Sequence, residues 1–144
     1  MIDKKMFQKI ILAFKFSPAC RSALEKAIQL SIENDAELLI FHALDYRLKE
    51  MDHRDPKLAK ITRQMESKFE TEVKPLLEEF PKFKFGCSPT DPGLEICKIA
   101  GQIKADLILL GCHDEPEKPQ LARLDYVGVT ILEKAPCPVM LIPP

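Results

Sequence analysis

Residues 105–111 read ADLILLG, a mostly apolar run that ends in a glycine and passes directly into the polar stretch CHDEPEKPQ (112–120). A short apolar run bounded by turn residues is typical of a strand whose two faces are both covered. Similar signals on either side predict four further strands: FQKIILAFKF (7–16), AELLIFHAL (36–44), KFKFGCS (82–88) and PVMLI (138–142). The stretch KFKFGCS alternates charged and aromatic residues, which predicts an edge strand with one exposed face.

Helical patterns separate these strands. Ser17-Pro18 predicts the start of the first helix, with serine as the N-cap and proline at the first helical position. That helix is expected to reach about Asn34. Its apolar face is predicted at Ala23, Ala27, Leu30 and Ile32. One long helix is predicted over 56–80, where apolar residues recur every three or four positions. The last two helices are predicted to begin at Asp91-Pro92 and to cover 121–134.

The order of these elements is β-α-β-α-β-α-β-α-β, which predicts the α/β class. Because helices connect successive strands, we expect one mostly parallel, doubly wound sheet of five strands with four helices on its two faces. The length of 144 residues suits a single domain, 1–144.

Composition excludes several classes of function. The net charge of -1 gives no general attraction for nucleic acid or for anionic membranes. The longest apolar runs are far shorter than the roughly 20 residues that span a bilayer, and the N-terminus lacks the apolar core of a signal peptide. Five cysteines without a CxxC pair predict reduced thiols rather than disulfides or zinc. The expected compartment is the cytoplasm.

A ligand site is expected beyond the carboxyl ends of the strands, where the winding direction of the sheet reverses. The residues that close the first strand are Lys15, Phe16 and Ser17. The residues that close the fourth strand are Gly111, Cys112, His113 and Asp114. These two groups are the candidate site.

Four stretches together resemble the universal stress protein family: KIILAFKFSPACRSALEKAIQLS (9–31), DPGLEICKIA (91–100), ADLILLG (105–111) and APCPVMLIP (135–143). The resemblance covers nearly the whole chain in the right order and at the right spacing. It implies strand order 3-2-1-4-5 and a homodimer, often paired through the last strand, here 138–142. It also implies a crevice between strands 1 and 4 in which some members bind ATP or AMP and others do not.

The chain departs from the pattern of the nucleotide-binding members, which carry G-x2-G-x9-G-S/T after strand 4 and usually an aspartate ending strand 1. Gly111 matches the first glycine, but the second falls on Asp114. Counted back from APCPV (135–139), the third glycine and its hydroxyl partner fall on Asp125 and Tyr126. An alternative placement on Gly128 gives too long a spacing and is no better. Lys15 stands in place of the aspartate.

The loop chemistry also opposes a triphosphate. Phosphate loops use glycines so that backbone N–H groups converge on the anion, and Pro116 and Pro119 have no N–H. Asp114, Glu115 and Glu117 add negative charge to the loop. We therefore expect no ordinary ATP binding and no other cofactor. Lys15, with Arg123 and His113, remains a candidate contact for a different anion beside the first helix.

No catalytic constellation is recognisable in the sequence. Cys112, His113 and Asp114 are consecutive, and consecutive side chains at a strand end are expected to point in different directions, which disfavours a catalytic triad. His42, His53 and His113 lack metal-ligand spacing. There is no phosphate-binding GxxxxGK[ST] loop, GxSxG elbow or GxGxxG fingerprint. We therefore expect no enzyme and no metal site.

The sequence predicts a cytoplasmic protein, and the resemblance implies that it is a regulatory or interaction protein of the stress response. It is expected to form a homodimer and to bind a protein partner that the sequence does not identify, and not to bind nucleic acid or membranes. Two alternatives stay open: a switch that binds ATP or AMP through a remodelled loop, and a slow nucleotide hydrolase.

Overall fold

Five parallel strands form the centre of the molecule in the computed structural model, which describes residues 6–44, 48, 50–52, 54–78, 80–111 and 126–143. The strands are β1 (Lys9–Ala13), β2 (Glu37–Leu44), β3 (Phe83–Pro89), β4 (Leu107–Gly111) and β5 (Val139–Ile142). The helices are α1 (Arg21–Asn34), α2 (Pro56–Glu72), α3 (Lys74–Leu77), α4 (Pro92–Ile103) and α5 (Tyr126–Lys134). The sheet order β3-β2-β1-β4-β5 confirms the predicted fold class and strand order.

The central strand β1 is buried on both faces and divides the core in two. Ile10 and Leu12 belong to a cluster with side chains of α1, α2 and α3. Ile11, which points to the other face, belongs to a cluster with side chains of α4 and α5. Full burial of each such side chain contributes roughly 1.5–3 kcal/mol, so both helical layers are needed to cover the strand.

The junction between β1 and β4 is also fixed by one carboxylate. Asp106, immediately before β4, accepts the backbone N–H groups of Gln8 and Lys9 at 2.8 and 3.0 Å. Its own N–H donates to the Lys9 carbonyl oxygen at 2.8 Å. A slip of one residue between these strands would break all three hydrogen bonds and turn each buried side chain to the opposite face.

The long helix predicted over 56–80 is wrong, because the chain breaks at Val73 into α2 and α3. Pro75 has no N–H to donate to residue 71, and its ring would clash with that carbonyl in a continuous helix. The break ends α2 with the Val73 N–H on the Phe69 carbonyl oxygen at 2.9 Å. The four predicted helices therefore become five α-helices within the described ranges.

The start of α1 also differs from the expectation. Ser17 precedes a 3₁₀ turn over Pro18–Cys20, its side chain makes no capping hydrogen bond, and α1 begins only at Arg21. Aspartates do cap α2 and α4: Asp55 accepts from the Lys57 N–H at 2.9 Å, and Asp91 accepts from the Leu94 N–H at 3.2 Å.

The predicted apolar face of α1 is confirmed at Ala23 and Ala27, which are buried, and at Leu30, which packs partly buried against the core, but it is wrong at Ile32. Its buried residues are Ala23, Leu24, Ala27, Ile28 and Ser31. Ser31 is tolerated there because its hydroxyl donates to the Ala27 carbonyl oxygen at 2.7 Å. Ile32, predicted to face the core, is instead 58% exposed.

The other boundaries agree within a few residues, and β3 lies at the sheet edge as predicted. The predicted loop at 112–120 and the first residues of the predicted last helix, 121–125, lie outside the described residues. No helix in the described ranges is long and apolar enough to cross a membrane.

The contact between α4 and α5 provides a test of this packing. A methyl group added at Gly93 would lie 2.8 Å from the Thr130 Cβ, whereas one added at Gly101 would meet no atom within 4 Å. Gly93→Ala is therefore expected to lower the free energy of unfolding by about 1–3 kcal/mol. Gly101→Ala, in the same helix, is expected to raise it by about 0.5–1 kcal/mol. Urea denaturation of both variants measures the difference, and shifts of the same sign would contradict the packing.

Candidate functional site

The parallel pairing of β1 with β4 brings the carboxyl ends of both strands to one edge of the sheet. Lys15 and Ser17 are exposed there, Phe16 is half-buried, and Gly111 is half-buried at the end of β4. The structure therefore brings together these four predicted site residues. Tyr126, the fifth described one, begins α5 and is 71% exposed. Cys112, His113, Asp114 and Asp125 lie outside the described residues.

Two backbone donors of the turn after β1 are hydrogen-bonded within the turn. The Ser17 N–H donates to the Lys15 carbonyl oxygen at 2.9 Å, and the Cys20 N–H donates to the Ser17 carbonyl oxygen at 3.2 Å. Pro18, between them, has no N–H. These groups are therefore not directed toward an anion, which weakens the anion site expected at the start of the first helix.

Cys20 reinforces the same turn from beneath. Its thiol lies 3.6 Å from the Ala13 carbonyl oxygen, to which it donates. Burial raises the pKa of Cys20, so the side chain remains a neutral thiol and is a poor nucleophile at neutral pH.

Beside the turn, Phe16 lies among the ring of Phe14, which directly follows β1, and one ring each from β2 and β3. Its ring centroid lies 4.9 Å from that of Phe14, 5.0 Å from His42 and 6.4 Å from Phe85, each in an edge-to-face arrangement. We call these four residues the aromatic cluster. The Lys68 Nζ, from α2, lies 4.9 Å from the Phe16 centroid, which is within the range of a cation–π contact. The cluster fills the β2 side of the carboxyl edge with rings and places a cation above them.

His42 is held in this cluster as a neutral imidazole. Its Nδ1 lies 3.1 Å from the Phe14 carbonyl oxygen, and because that oxygen only accepts, Nδ1 carries the proton. Burial lowers the pKa of His42, the Phe14 hydrogen bond partly opposes this, and the positive charges of Lys68 and Lys15 lower it further. The edge therefore carries cationic side chains without a charged histidine.

Three of the residues in these contacts could not be predicted as site residues from the sequence. His42, Lys68 and Phe85 come from three different elements, and no spacing along the chain relates them. Lys68 looks like one of many charges on the solvated face of an amphipathic helix. Only the crossover geometry, which places α2 over β2 and β3, shows that it reaches Phe16.

The chemistry of the described part of this edge is that of an aromatic surface with two lysines nearby. The described residues contain no group of three or more histidine, cysteine or acidic side chains able to hold a metal ion. Cys87, like Cys20, has its thiol pKa raised by burial, so neither is an activated nucleophile.

Comparison with known sequences gives one match. The sequence model of the Universal stress protein family matches residues 6–143 of the chain. A search of curated protein sequences found none that matches.

Solved structures give several matches over nearly full length. The hypothetical protein MJ0577 has a TM-score of 0.76 at 25% identity, with 96% of this chain and 97% of that chain covered. Universal stress protein UspA from Lactobacillus plantarum has a TM-score of 0.64 at 20% identity, with 94% and 97% covered. A universal stress protein from Archaeoglobus fulgidus in complex with dAMP has a TM-score of 0.64 at 18% identity, with 94% and 97% covered. The likeness to the last two is a likeness of fold.

The neutral state of His42 has a consequence for stability. Because its folded-state pKa lies below the ordinary value of 6.5, the unfolded chain takes up a proton first as the pH falls through 6.5. The stability that the neutral ring contributes is thus present above that pH and is lost below it. Between neutral and mildly acidic pH, we expect the free energy of unfolding of His42→Asn to fall less than that of the wild type. Urea denaturation across this range measures it, and parallel pH profiles for the two proteins would contradict the assignment.

Proposed function

The chain belongs to the universal stress protein family, and on that basis we propose that it is a cytoplasmic regulatory or interaction protein of the stress response. We further propose that it acts as a homodimer, is not an enzyme, and does not bind ATP in the ordinary way. The stress role and the compartment rest on family membership, since fold alone does not specify a role. The nucleotide and dimer proposals rest on the contacts described below.

One observation carries the nucleotide proposal: an exposed lysine, Lys15, follows β1 at the point where the winding of the sheet reverses. A carboxylate there accepts hydrogen bonds from ribose hydroxyls, whereas an ammonium group only donates. The adjacent turn adds no anion-binding donors from Ser17 or Cys20, whose N–H groups are already bonded.

The sequence of the following loop supports the same proposal. Gly111 is followed by three acids and two prolines before residue 120. An acid about 4 Å from a phosphate charge costs roughly 1 to 4 kcal/mol, depending on the local dielectric. The lysines at the edge offset part of this for one phosphate more readily than for three. An adenosine monophosphate is therefore the alternative ligand, as in the relative from Archaeoglobus fulgidus that was solved with dAMP.

Strand β5 supports the dimer proposal. It is the last strand of the sheet, and all four of its residues are half-buried. The Pro138 carbonyl oxygen accepts from the Ile108 N–H at 3.0 Å. The backbone N–H and C=O groups of alternate residues, 138, 140 and 142, therefore point toward β4, except that Pro138 has no N–H. The backbone groups of Val139 and Leu141 therefore point away from β4, toward the open edge. An apolar edge of this kind is suited to pairing with a second copy.

The nucleotide proposal is tested on protein purified without added ligand. We expect mass analysis of the small molecules released by denaturation to find no adenine nucleotide. We also expect titration of the emptied protein with ATP and AMP to show no saturable micromolar binding. The dAMP-binding relative from Archaeoglobus fulgidus, treated in parallel, is the positive control. Micromolar binding of ATP would overturn the proposal, AMP binding alone would favour the monophosphate switch, and turnover of either would make the protein a hydrolase.

The dimer proposal is tested by changing one backbone donor. Leu141→Pro removes an N–H from the open edge, whereas Leu141→Ala shortens the same side chain and keeps the donor. Sedimentation at micromolar concentration is expected to show dimers for the wild type and Leu141→Ala, and monomers for Leu141→Pro. A monomeric wild type, or a Leu141→Pro variant as dimeric as Leu141→Ala, would overturn it.

A further inference from the structure

A groove separates α1 from α2 and α3 on one face of the sheet. The described residues line three adjoining depressions of about 400, 340 and 530 Å³. Leu76 lines all three and Ile32 lines two. On the opposite face α4 and α5 pack directly against each other, but α1 makes few contacts with α2 or α3. The depressions therefore form one groove, from Ser17 at the crevice edge to Lys82 at the other end of the sheet.

The groove has an apolar floor. Leu24, Ile28, Val73 and Leu77 are core residues that also line it. Ile32, whose side chain is 58% exposed, projects into it from α1. The break before Pro75 leaves α3 only one turn long, so no continuous helix covers this floor.

The rim of the groove is predominantly acidic. Among the described residues, its charged lining comprises five acids, Glu25, Glu33, Asp35, Glu72 and Glu78, and two bases, Arg21 and Lys82. Both bases are paired within the rim: Arg21 lies 3.3 Å from Glu25, and the Lys82 Nζ lies 2.8 Å from the Asp35 carboxylate. Negative charge stays in excess although Glu72 also pairs with Lys68 at 3.9 Å, and it favours a ligand that carries positive charge along its edges.

We propose that this groove binds an amphipathic helical segment of a partner protein, with apolar side chains on one face and lysines or arginines on its flanks. The 14 residues of α1 span about 21 Å, which matches an incoming helix of about four turns. The apolar floor would contact the apolar face of such a helix, and the acidic rim would contact its basic flanks. The inference rests on the proposed interaction role, for which it names the class of partner. It is independent of the β5 dimer, which uses the edge of the sheet.

A designed peptide tests the proposal directly. The probe is a fluorescent helix of about four turns with leucines on one face and lysines on its flanks. The matched control has glutamate at every lysine position. Fluorescence anisotropy with the full chain is expected to show saturable binding of the lysine peptide that weakens with added salt, and at least about tenfold weaker binding of the glutamate peptide.

Two variants locate the binding surface. Ile32→Lys places a cation in the groove, and Leu94→Lys makes the same kind of change at a side chain that is 46% exposed on α4, on the other face. Because both positions are exposed, the fold is expected to tolerate both changes. Ile32→Lys is expected to weaken binding of the lysine peptide at least about tenfold, and Leu94→Lys is expected to leave that binding unchanged.

Failure of the lysine peptide to bind, equal binding of the two peptides, or equal effects of the two variants would overturn the proposal. Sedimentation of the same samples separates it from the dimer. If Ile32→Lys abolishes self-association, the groove is an interface between copies and the proposal is wrong. If the wild type is a monomer and still binds the lysine peptide, only the dimer proposal is wrong.

Discussion

Burial of β1 on both faces is the constraint on which the rest of the structure depends. Its side chains alternate between two apolar clusters, so helices must cover each side of the sheet. With β2 on one side and β4 on the other, both parallel to it, the winding must reverse beside β1. That reversal opens the crevice at the carboxyl edge, and the layer of α1, α2 and α3 creates the groove. The two candidate surfaces are thus consequences of one buried strand.

Helices cover the two faces of the sheet with different tightness of packing. On one, α4 and α5 approach so closely that Gly93 meets Thr130 without room for a methyl group. On the other, Pro75 interrupts the helical run, and α3 is only one turn long. The first face is therefore packed for stability, whereas the second leaves apolar surface at a solvent boundary. This asymmetry places the proposed partner site on the less closed face.

The parts of the fold that sequence could predict are those set by local pattern. ADLILLG predicted β4 because an apolar run needs no partner to identify it, and Asp91-Pro92 predicted α4 because the cap and the proline act locally. Ile32 was misplaced because its helical angle alone does not show which neighbours α1 meets. His42 and Lys68 were missed at the site because their contacts depend on the crossover, which brings distant elements together. Four site residues, Cys112, His113, Asp114 and Asp125, lie outside the described ranges, so their placement remains a prediction.

Helix α2 contributes side chains to both surfaces. Near its end, Glu72 lines the groove, and one turn earlier Lys68 lies over the Phe16 ring beside the crevice. The two side chains also form an ion pair at 3.9 Å along the helix. Since the Lys68 ammonium group lies near both the Phe16 ring and the Glu72 carboxylate, a change of charge at Glu72 would alter the rim of the groove and the surroundings of a cation at the crevice together.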